Sequence, residues 1–347
     1  MGDTMSEVER REAIRVGIVG YGNLGRGAEL ALHDAPDMRI VGIFTRREPE
    51  VLSRARRDDP AVADLADETA IYPLDSIRDF ESEIDLLLLC GGSRSDLPEQ
   101  GPALARYFNT VDSFDIHSRI PEYHAAVDAA ARAGDNLSIV SVGWDPGLFS
   151  LNRLYAEAVL SRGKTYTFWG KGLSQGHSEA VRRVPGVKAG VQYTIPSAEV
   201  LERVRAGERP ELGTRERHRR ECYVVLDQGA DAAEVERAIR TMPDYFEGYE
   251  TEVHFITEEE LSAEHSAMPH GGNVIRGGET GLTNNAVIEF SLRLESNPEF
   301  TASVLVAYGR AAFRLYERGE RGARTVLDIP PALLSPRSPA ELMRELL

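Results

Sequence analysis

The sequence predicts an α/β protein: a Rossmann-type doubly wound parallel sheet followed by a second, α+β domain. Three observations predict it. Short apolar, β-branched runs alternate with helical stretches through roughly the first 145 residues, a rhythm that specifies parallel strands with right-handed crossovers. The first run ends in a glycine turn of the form G-x-G-x-x-G. Beyond it, strand runs are separated by long polar and Gly/Pro-rich segments, and 347 residues exceed what one hydrophobic core usually organises.

Taken in order, residues 15–20 (Arg-Val-Gly-Ile-Val-Gly) have the composition of a buried parallel strand. The turn Gly20-Tyr21-Gly22-Asn23-Leu24-Gly25 follows, and residues 26–33 read as a helix. Residues 39–44 form a second strand ending in Thr45-Arg46-Arg47, and residues 84–90 a third, closed by Gly91-Gly92-Ser93. Thr110-Val111 precedes Asp112-Ser113-Phe114-Asp115; residues 121–133 are helical; residues 137–142 run into Gly143-Trp144-Asp145-Pro146-Gly147. In the second domain, 165–169, 222–226, 251–256 and 286–294 are expected to form one more open sheet with helices over one face. Residues 205–220 read as a solvated helix or loop and 301–318 as a helix.

Composition narrows the function. With 42% hydrophobic and 28% charged residues the chain is an ordinary globular one. No apolar run approaches the roughly 18 residues of a membrane span, and the polar residues 1–12 read as a tail rather than a secretory signal. Two cysteines, Cys90 and Cys222, exclude a disulfide framework and a Cys-rich zinc site, and fit a reducing cytoplasm. A net charge of −16 argues against nucleic-acid or anionic-membrane partners. No metal site is expected, since neither His177 nor His270 forms an H-x-x-x-H pair. Only Lys164, Lys171 and Lys188 are available to any mechanism needing a lysine.

The glycine turn lies between a strand and a helix, the context in which the pattern signifies a dinucleotide. Gly20 permits the tight turn, Gly22 lets the backbone approach a pyrophosphate, and Gly25 lets helix and strand pack closely. The helix N-terminus adds unpaired N–H groups and partial positive charge. The second strand selects the dinucleotide. It ends in Thr45-Arg46-Arg47 with no acid for a ribose 2′-OH, and two guanidiniums with a hydroxyl suit a 2′-phosphate, hence NADP rather than NAD. Ligands of such sheets bind at the carboxyl ends of the strands. That places Cys90, Gly91, Gly92 and Ser93, then Ser113 and Phe114, then Val142, Gly143 and Pro146, along the nucleotide.

Asp115 and Asp145 stand at two of these strand ends. They are suited to a substrate ammonium; the alternative is that each caps the helix that follows. In the second domain, residues 168–178 (Phe-Trp-Gly-Lys-Gly-Leu-Ser-Gln-Gly-His-Ser) look like a backbone-rich binding loop rather than a core segment. Arg220 beside a neutral donor such as His270 would suit a carboxylate; spacing alone favours structural roles for His177 and His270.

At these residues the sequence resembles the meso-diaminopimelate D-dehydrogenases, from Ile14 to about Leu334. The resemblance is carried by residues 19–26, 143–147 and 168–178, by Arg182-Arg183-Val184-Pro185-Gly186-Val187 and by Arg240-Thr241-Met242-Pro243-Asp244-Tyr245. Met268-Pro269-His270-Gly271-Gly272 and Asn297-Pro298-Glu299-Phe300-Thr301-Ala302-Ser303 extend it. Ser118-Arg119-Ile120 departs from it, where the family often has an acid beside Ile-Pro.

The resemblance implies reversible, NADP-dependent oxidative deamination of the D-centre of meso-2,6-diaminopimelate to L-2-amino-6-oxopimelate and ammonia, serving lysine and cell-wall precursor synthesis. It implies a homodimer with an NADP-binding domain over residues 13–145, a substrate and dimerisation domain over 146–300, and a C-terminal segment, about 301–347, packing back on the first. Asp115 and Asp145 would hold the D-amino group, and Trp144 and Trp169 would wall the pocket. The backbone at Gln175 and Gly176 would lie near the D-carboxylate. Thr194, Arg220 and His270 would bind the L-carboxylate, with Asn297 lining that end. Another NADP-dependent reductase of this architecture, a broader D-amino acid dehydrogenase and a non-catalytic NADP-sensing protein are the alternatives at this point.

Overall fold

Apolar runs with no polar face end up buried on both sides, and they build the centre of a seven-stranded parallel sheet. The structure, a computed structural model, describes residues 13–347 apart from Asp244, and not the side chains of Gln175 and Thr214. The tail read over residues 1–12 lies outside the described residues. The chain runs β1 (Ile14–Val19), α1 (Asn23–His33), β2 (Met38–Thr45), α2 (Pro49–Arg57), β3 (Ile71–Pro73), β4 (Leu86–Leu89) and α3 (Leu97–Ala105). It continues through β5 (Thr110–Asp112), α4 (Ile120–Ala133), β6 (Leu137–Ile139) and α5 (Leu148–Val159). Then come β7 (Gly163–Trp169), β8 (Gly172–Leu173), α6 (Gln175–Arg182), β9 (Val187–Pro196), α7 (Ala198–Arg205) and β10 (His218–Leu226). After α8 (Ala232–Arg240), β11 (Thr251–Phe255), α9 (Glu258–Glu264), β12 (His270–Thr280) and β13 (Asn284–Leu294), the chain ends with α10 (Asn297–Glu317), β14 (Gly322–Arg324) and α11 (Pro339–Leu346).

Two compact units result, one of residues up to Ser150 together with Pro298–Leu347, the other of Leu151–Asn297. In the first, the strand order is β14-β6-β5-β4-β1-β2-β3, with every pairing parallel. β1 and β4 are neighbours although the chain visits β2 and β3 between them, so the winding reverses there. That reversal is the switch point beside which such sheets bind ligands. All four residues of β4 are fully buried, and Phe44 stacks on Tyr72 in the core beside it.

The long helix α10 belongs to this unit for two packing reasons. A Cβ on Gly309 would come within 2.6 Å of Leu86, so the helix lies directly on the sheet. Arg310, buried, donates to both carboxylate oxygens of Asp37 at 2.6 and 2.7 Å and to the Leu334 carbonyl at 2.8 Å.

The second unit holds two sheets, not the single open sheet the strand pattern suggests: β11-β10-β9-β8 and β13-β12-β7. β12 and β9 are absent from that pattern. β12 hides because it is rich in glycine where apolar alternation is sought; a Cβ on Gly272 would sit 2.1 Å from the Phe168 carbonyl oxygen, so the close approach of β7 requires glycine. Residues 205–220 also differ from expectation: His218 and Arg220 are buried at the start of β10. Phe168 is a core residue packed with Tyr166, Val204 and Ile275, so only part of the 168–178 stretch is loop. Among the described residues no helix is long and apolar enough to cross a membrane.

Replacing Asp37 by Ala leaves Arg310 buried without its carboxylate. The expected loss is about 3 kcal/mol, read as a lower urea midpoint at unchanged m-value.

Candidate active site

The glycine turn closes the carboxyl end of β1. Gly20 N–H donates to the Phe44 carbonyl at 2.9 Å and Cys90 N–H to the Val19 carbonyl at 2.8 Å, which sets the turn between the ends of β2 and β4. A Cβ on Gly25 would fall 2.2 Å from the Gly20 oxygen, whereas a Cβ on Gly22 would meet nothing within 4 Å. Gly25 is thus a packing requirement, and Gly22 leaves open backbone at the start of α1. No acid lies in the first turn of that helix, and its N–H groups and dipole suit a phosphate. Below the turn, the Tyr21 hydroxyl donates to Glu29, which also receives Arg56, both charges being essentially unexposed. Burial is the first cause that raises the Tyr21 hydroxyl pKa far above its ordinary value, followed by Glu29. Tyr21 therefore anchors the turn from beneath, its hydroxyl being taken up by Glu29.

At the end of β2, the buried Thr45 hydroxyl accepts from Arg47 N–H at 3.1 Å, and the Arg47 guanidinium donates to the Tyr21 carbonyl. Arg46 is largely exposed and pairs with Asp96 at 2.6 Å. Asp96 also accepts from Gly92 N–H at 2.8 Å and from the Ser95 hydroxyl at 3.0 Å. These donors and the arginine hold its carboxyl below the usual range in spite of its desolvation. Asp96 thus fixes both the Gly91-Gly92 loop and the guanidinium read as a 2′-phosphate ligand. Cys90 is buried, its thiol pushed up to about 12 by desolvation, so its contribution there is backbone.

The ends of β5 and β6 carry Asp115 and Asp145. Asp115 is exposed, and its N–H donates to the Ser93 hydroxyl at 3.1 Å. The N-cap of the 3-10 turn that follows is Ile116, not Asp115. Phe114 turns inward and stacks on Tyr123 at 4.2 Å between centroids, and its N–H donates to the buried Asp112 carboxylate at 3.0 Å. Trp144-Asp145-Pro146-Gly147 is a tight turn bridged between Trp144 and Gly147. Trp144, mostly buried, rests edge-on against Phe149 at 5.2 Å; Asp145 is half-buried.

In the second unit, cross-strand register assembles a cationic site. Arg220 pairs with Thr194 between β10 and β9, and Thr194 with Gly172 between β9 and β8. The Arg220 guanidinium donates to the Thr194 hydroxyl and lies 4.3 Å from the Tyr249 ring centre. Its Nε has no hydrogen-bond partner among the described residues, and burial lowers its pKa. A desolvated guanidinium among neutral partners is best stabilised by an anion. The His270 ring lies over Gly172, where a Cβ would come within 2.4 Å of Nδ1. Gly271 N–H donates to that Nδ1 at 2.8 Å, so in the neutral ring the hydrogen sits on Nε2. Trp169 stacks on His218 at 5.4 Å, and its backbone N–H donates to the His218 Nε2 at 2.8 Å. Asn297 N–H donates to the Met268 carbonyl at 3.0 Å. Gly176 is exposed near the start of α6, and the Gln175 side chain lies outside the described residues.

Residues 143–296 match the diaminopimelic acid dehydrogenase C-terminal domain. The chain is 59% identical over 335 residues to a meso-diaminopimelate D-dehydrogenase of Lysinibacillus sphaericus, covering 96% of this chain and 99% of the relative. It belongs to the meso-diaminopimelate D-dehydrogenase family. A diaminopimelate dehydrogenase of C. glutamicum solved in complex with diaminopimelate is 47% identical, with a TM-score of 0.86 over 96% of this chain and 99% of that one. An engineered D-amino acid dehydrogenase bound to NADP+ is 46% identical, with a TM-score of 0.82 over 96% and 100%.

Within this diaminopimelate dehydrogenase fold, sequence reading missed several supporting residues. Asp96 could have been suspected from its place before a helix. Asp112 and Gln192 could not, because their burial depends on partners distant in sequence, Ser141 for Asp112 and Ser178 for Gln192. Gln192 is fully buried, and its Nε2 lies 3.5 Å from the Thr194 hydroxyl.

Replacing Arg46 and Arg47 together by Ala is expected to raise the NADP Michaelis constant at least about tenfold, with a much smaller change for NAD, since each charge-assisted contact contributes about 1.5–3 kcal/mol. His177 offers a pH test. Burial, then the Arg220 charge, pushes it from 6.5 down to about 4, so the native state holds it neutral while the unfolded chain takes up a proton below 6.5. Stability therefore falls as pH drops from 6.5 to 4, by roughly 3 kcal/mol in all. Denaturant midpoints across that window should show the loss, and His177→Gln should flatten it.

Proposed function

We propose that the chain catalyses NADP-dependent, reversible oxidative deamination of the D-centre of meso-2,6-diaminopimelate, yielding L-2-amino-6-oxopimelate and ammonia for lysine and cell-wall precursor synthesis. The observation that carries the substrate class is Arg220, a buried guanidinium held by Thr194 and Tyr249 with no carboxylate of the described residues paired to it. A substrate with two carboxylates and two ammonium groups matches that cation and the acids Asp115 and Asp145.

Asp115 and Asp145 hold the D-amino group, while Trp144 and Trp169 wall the substrate. Backbone at Gln175 and Gly176 meets the D-carboxylate. Thr194, Arg220 and the Nε2–H of His270 bind the L-carboxylate, with Asn297 at the same end. The glycine turn and the loops at Thr45–Arg47, Cys90–Ser93, Ser113–Phe114, Val142–Gly143 and Pro146 hold the cofactor. Residues 13–145 with about 301–347 form the NADP-binding domain, and 146–300 the substrate and dimerisation domain. When bound, NADP accepts the hydrogen of the D-carbon with its electron pair. Asp145, or a water it holds, takes the proton that the ammonium must lose before the imine forms, so turnover rises toward alkaline pH. Water then adds to the imine carbon and ammonia leaves. Positioning by these side chains dominates the rate, and no lysine is required.

Exposed Leu154, Tyr155 and Val159 on α5 and Val287 and Ile288 on β13 support a homodimer. Two free cysteines suit a cytoplasmic enzyme.

Asp145→Asn, assayed by NADP reduction with meso-diaminopimelate, is expected to lower kcat about 100-fold or more with NADP affinity retained. Unchanged turnover would remove Asp145 from the site.

A further inference from the structure

Both acids proposed to hold the amino group stand on loops, and loops position poorly unless something fixes them. One buried side chain touches both. Asp112, the last residue of β5, is fully buried. Its Oδ1 accepts from Phe114 N–H at 3.0 Å and from Ser141 N–H at 3.1 Å, and its Oδ2 from the Tyr123 hydroxyl at 2.8 Å. Its carbonyl accepts from Val142 N–H at 2.8 Å. Phe114 is the residue before Asp115, and Ser141–Val142 lead into Trp144–Asp145.

We infer that Asp112 is a positioning residue for the deamination, registering the Asp115 loop against the Asp145 loop through one buried carboxylate. The inference rests on the amino-group role proposed above for those two acids. Two features support it. Ser141 adopts φ +59° without being glycine, a conformation that persists only where the surroundings impose it, and Asp112 holds its N–H. Burial, opposed by its three hydrogen bonds, pushes the Asp112 carboxyl up to about 6; among the described residues its side-chain partners are two amides and a phenol, with no cation. A carboxylate buried this way without a cation is costly for stability alone. An apolar residue would serve the sheet interior; only an acceptor with two oxygens meets both loops and Tyr123 together.

The test is steady-state kinetics of reductive amination on the full-length enzyme, per folded molecule, with NADPH affinity measured by fluorescence titration. Asp112→Val is expected to lower kcat about 100-fold and raise the ammonia KM, since misplacement of a reacting group by about 1 Å costs that much. The KM for the 2-oxo acid should change little, and the NADPH Kd, which the glycine turn and Thr45–Arg47 still set, should rise by a smaller factor than the ammonia KM. Asp112→Asn keeps the shape and one oxygen for the two loop amides, and should recover activity to within about tenfold of the native enzyme. If Asp112→Val does not fold, Asp112→Ser, whose single short oxygen cannot meet both amides, should show the same split. Combined with Asp145→Asn, an Asp112 variant should lose less than the product of the two separate losses. Wild-type kcat and ammonia KM in the Val or Ser variant would overturn the inference, as would equal losses in NADPH and ammonia affinity. Asp115→Asn and Asp145→Asn run in the same assay separate the two claims. If both leave turnover intact, the amino-group reading falls and takes the inference with it; if they impair it and the Asp112 variants do not, only the inference falls.

Discussion

The last rung of the parallel hydrogen-bond ladder is the constraint on which the first unit depends. Gly20 N–H to Phe44 and Cys90 N–H to Val19 each carry the ladder one residue past a strand, and Val142 N–H to Asp112 ties down the chain three residues past β6. A strand end fixed in this way launches its loop in a defined direction. The glycine turn, the Gly91-Gly92 loop and the Trp144-Asp145 turn therefore begin from one rigid edge, and their outward groups inherit its precision. Side chains then lock the loops sideways: Asp96 between Gly92 and Arg46, Ser93 to Asp115, Asp112 between Phe114 and Ser141.

Charge is placed with the same economy. Glu29 and Arg56 are buried as a pair under the turn, where Arg56 also donates to the Ala66 and Thr69 carbonyls at 3.1 and 3.2 Å. A buried pair of this kind adds little net stability, and breaking it is costly, so its value lies in holding Tyr21 and hence the turn. Arg220 is the contrasting case, desolvated among neutral groups. That contrast separates a structural cation from a binding one.

Much of the first unit was legible because its signals are local. The runs at 15–20 and 84–90 are apolar without alternation, and the glycine turn follows a strand, so parallel sheet and nucleotide edge could be read directly. Thr45-Arg46-Arg47 was equally local. The second unit resisted because its decisive contacts are non-local. The glycines of β12 serve close packing against β7 and carry no alternation, so the strand and the second sheet went unread. Arg220 sat in what looked like a solvated arginine-rich stretch, and its burial follows only from pairing with Thr194, 26 residues earlier. The resemblance named Thr194, but no spacing rule could. Asp112 looked like a loop residue because Ser141, its second donor, arrives 29 residues later.

The central claim is that this chain oxidises the D-amino carbon of a meso-diamino diacid with NADP. Initial rates of NADP reduction with the meso, L,L and D,D isomers of 2,6-diaminopimelate test it most directly. Turnover of the meso isomer is expected, with none of the L,L isomer, which has no D-centre, and a 2-oxo product that retains its L-amino centre. Absence of turnover with the meso isomer would contradict it.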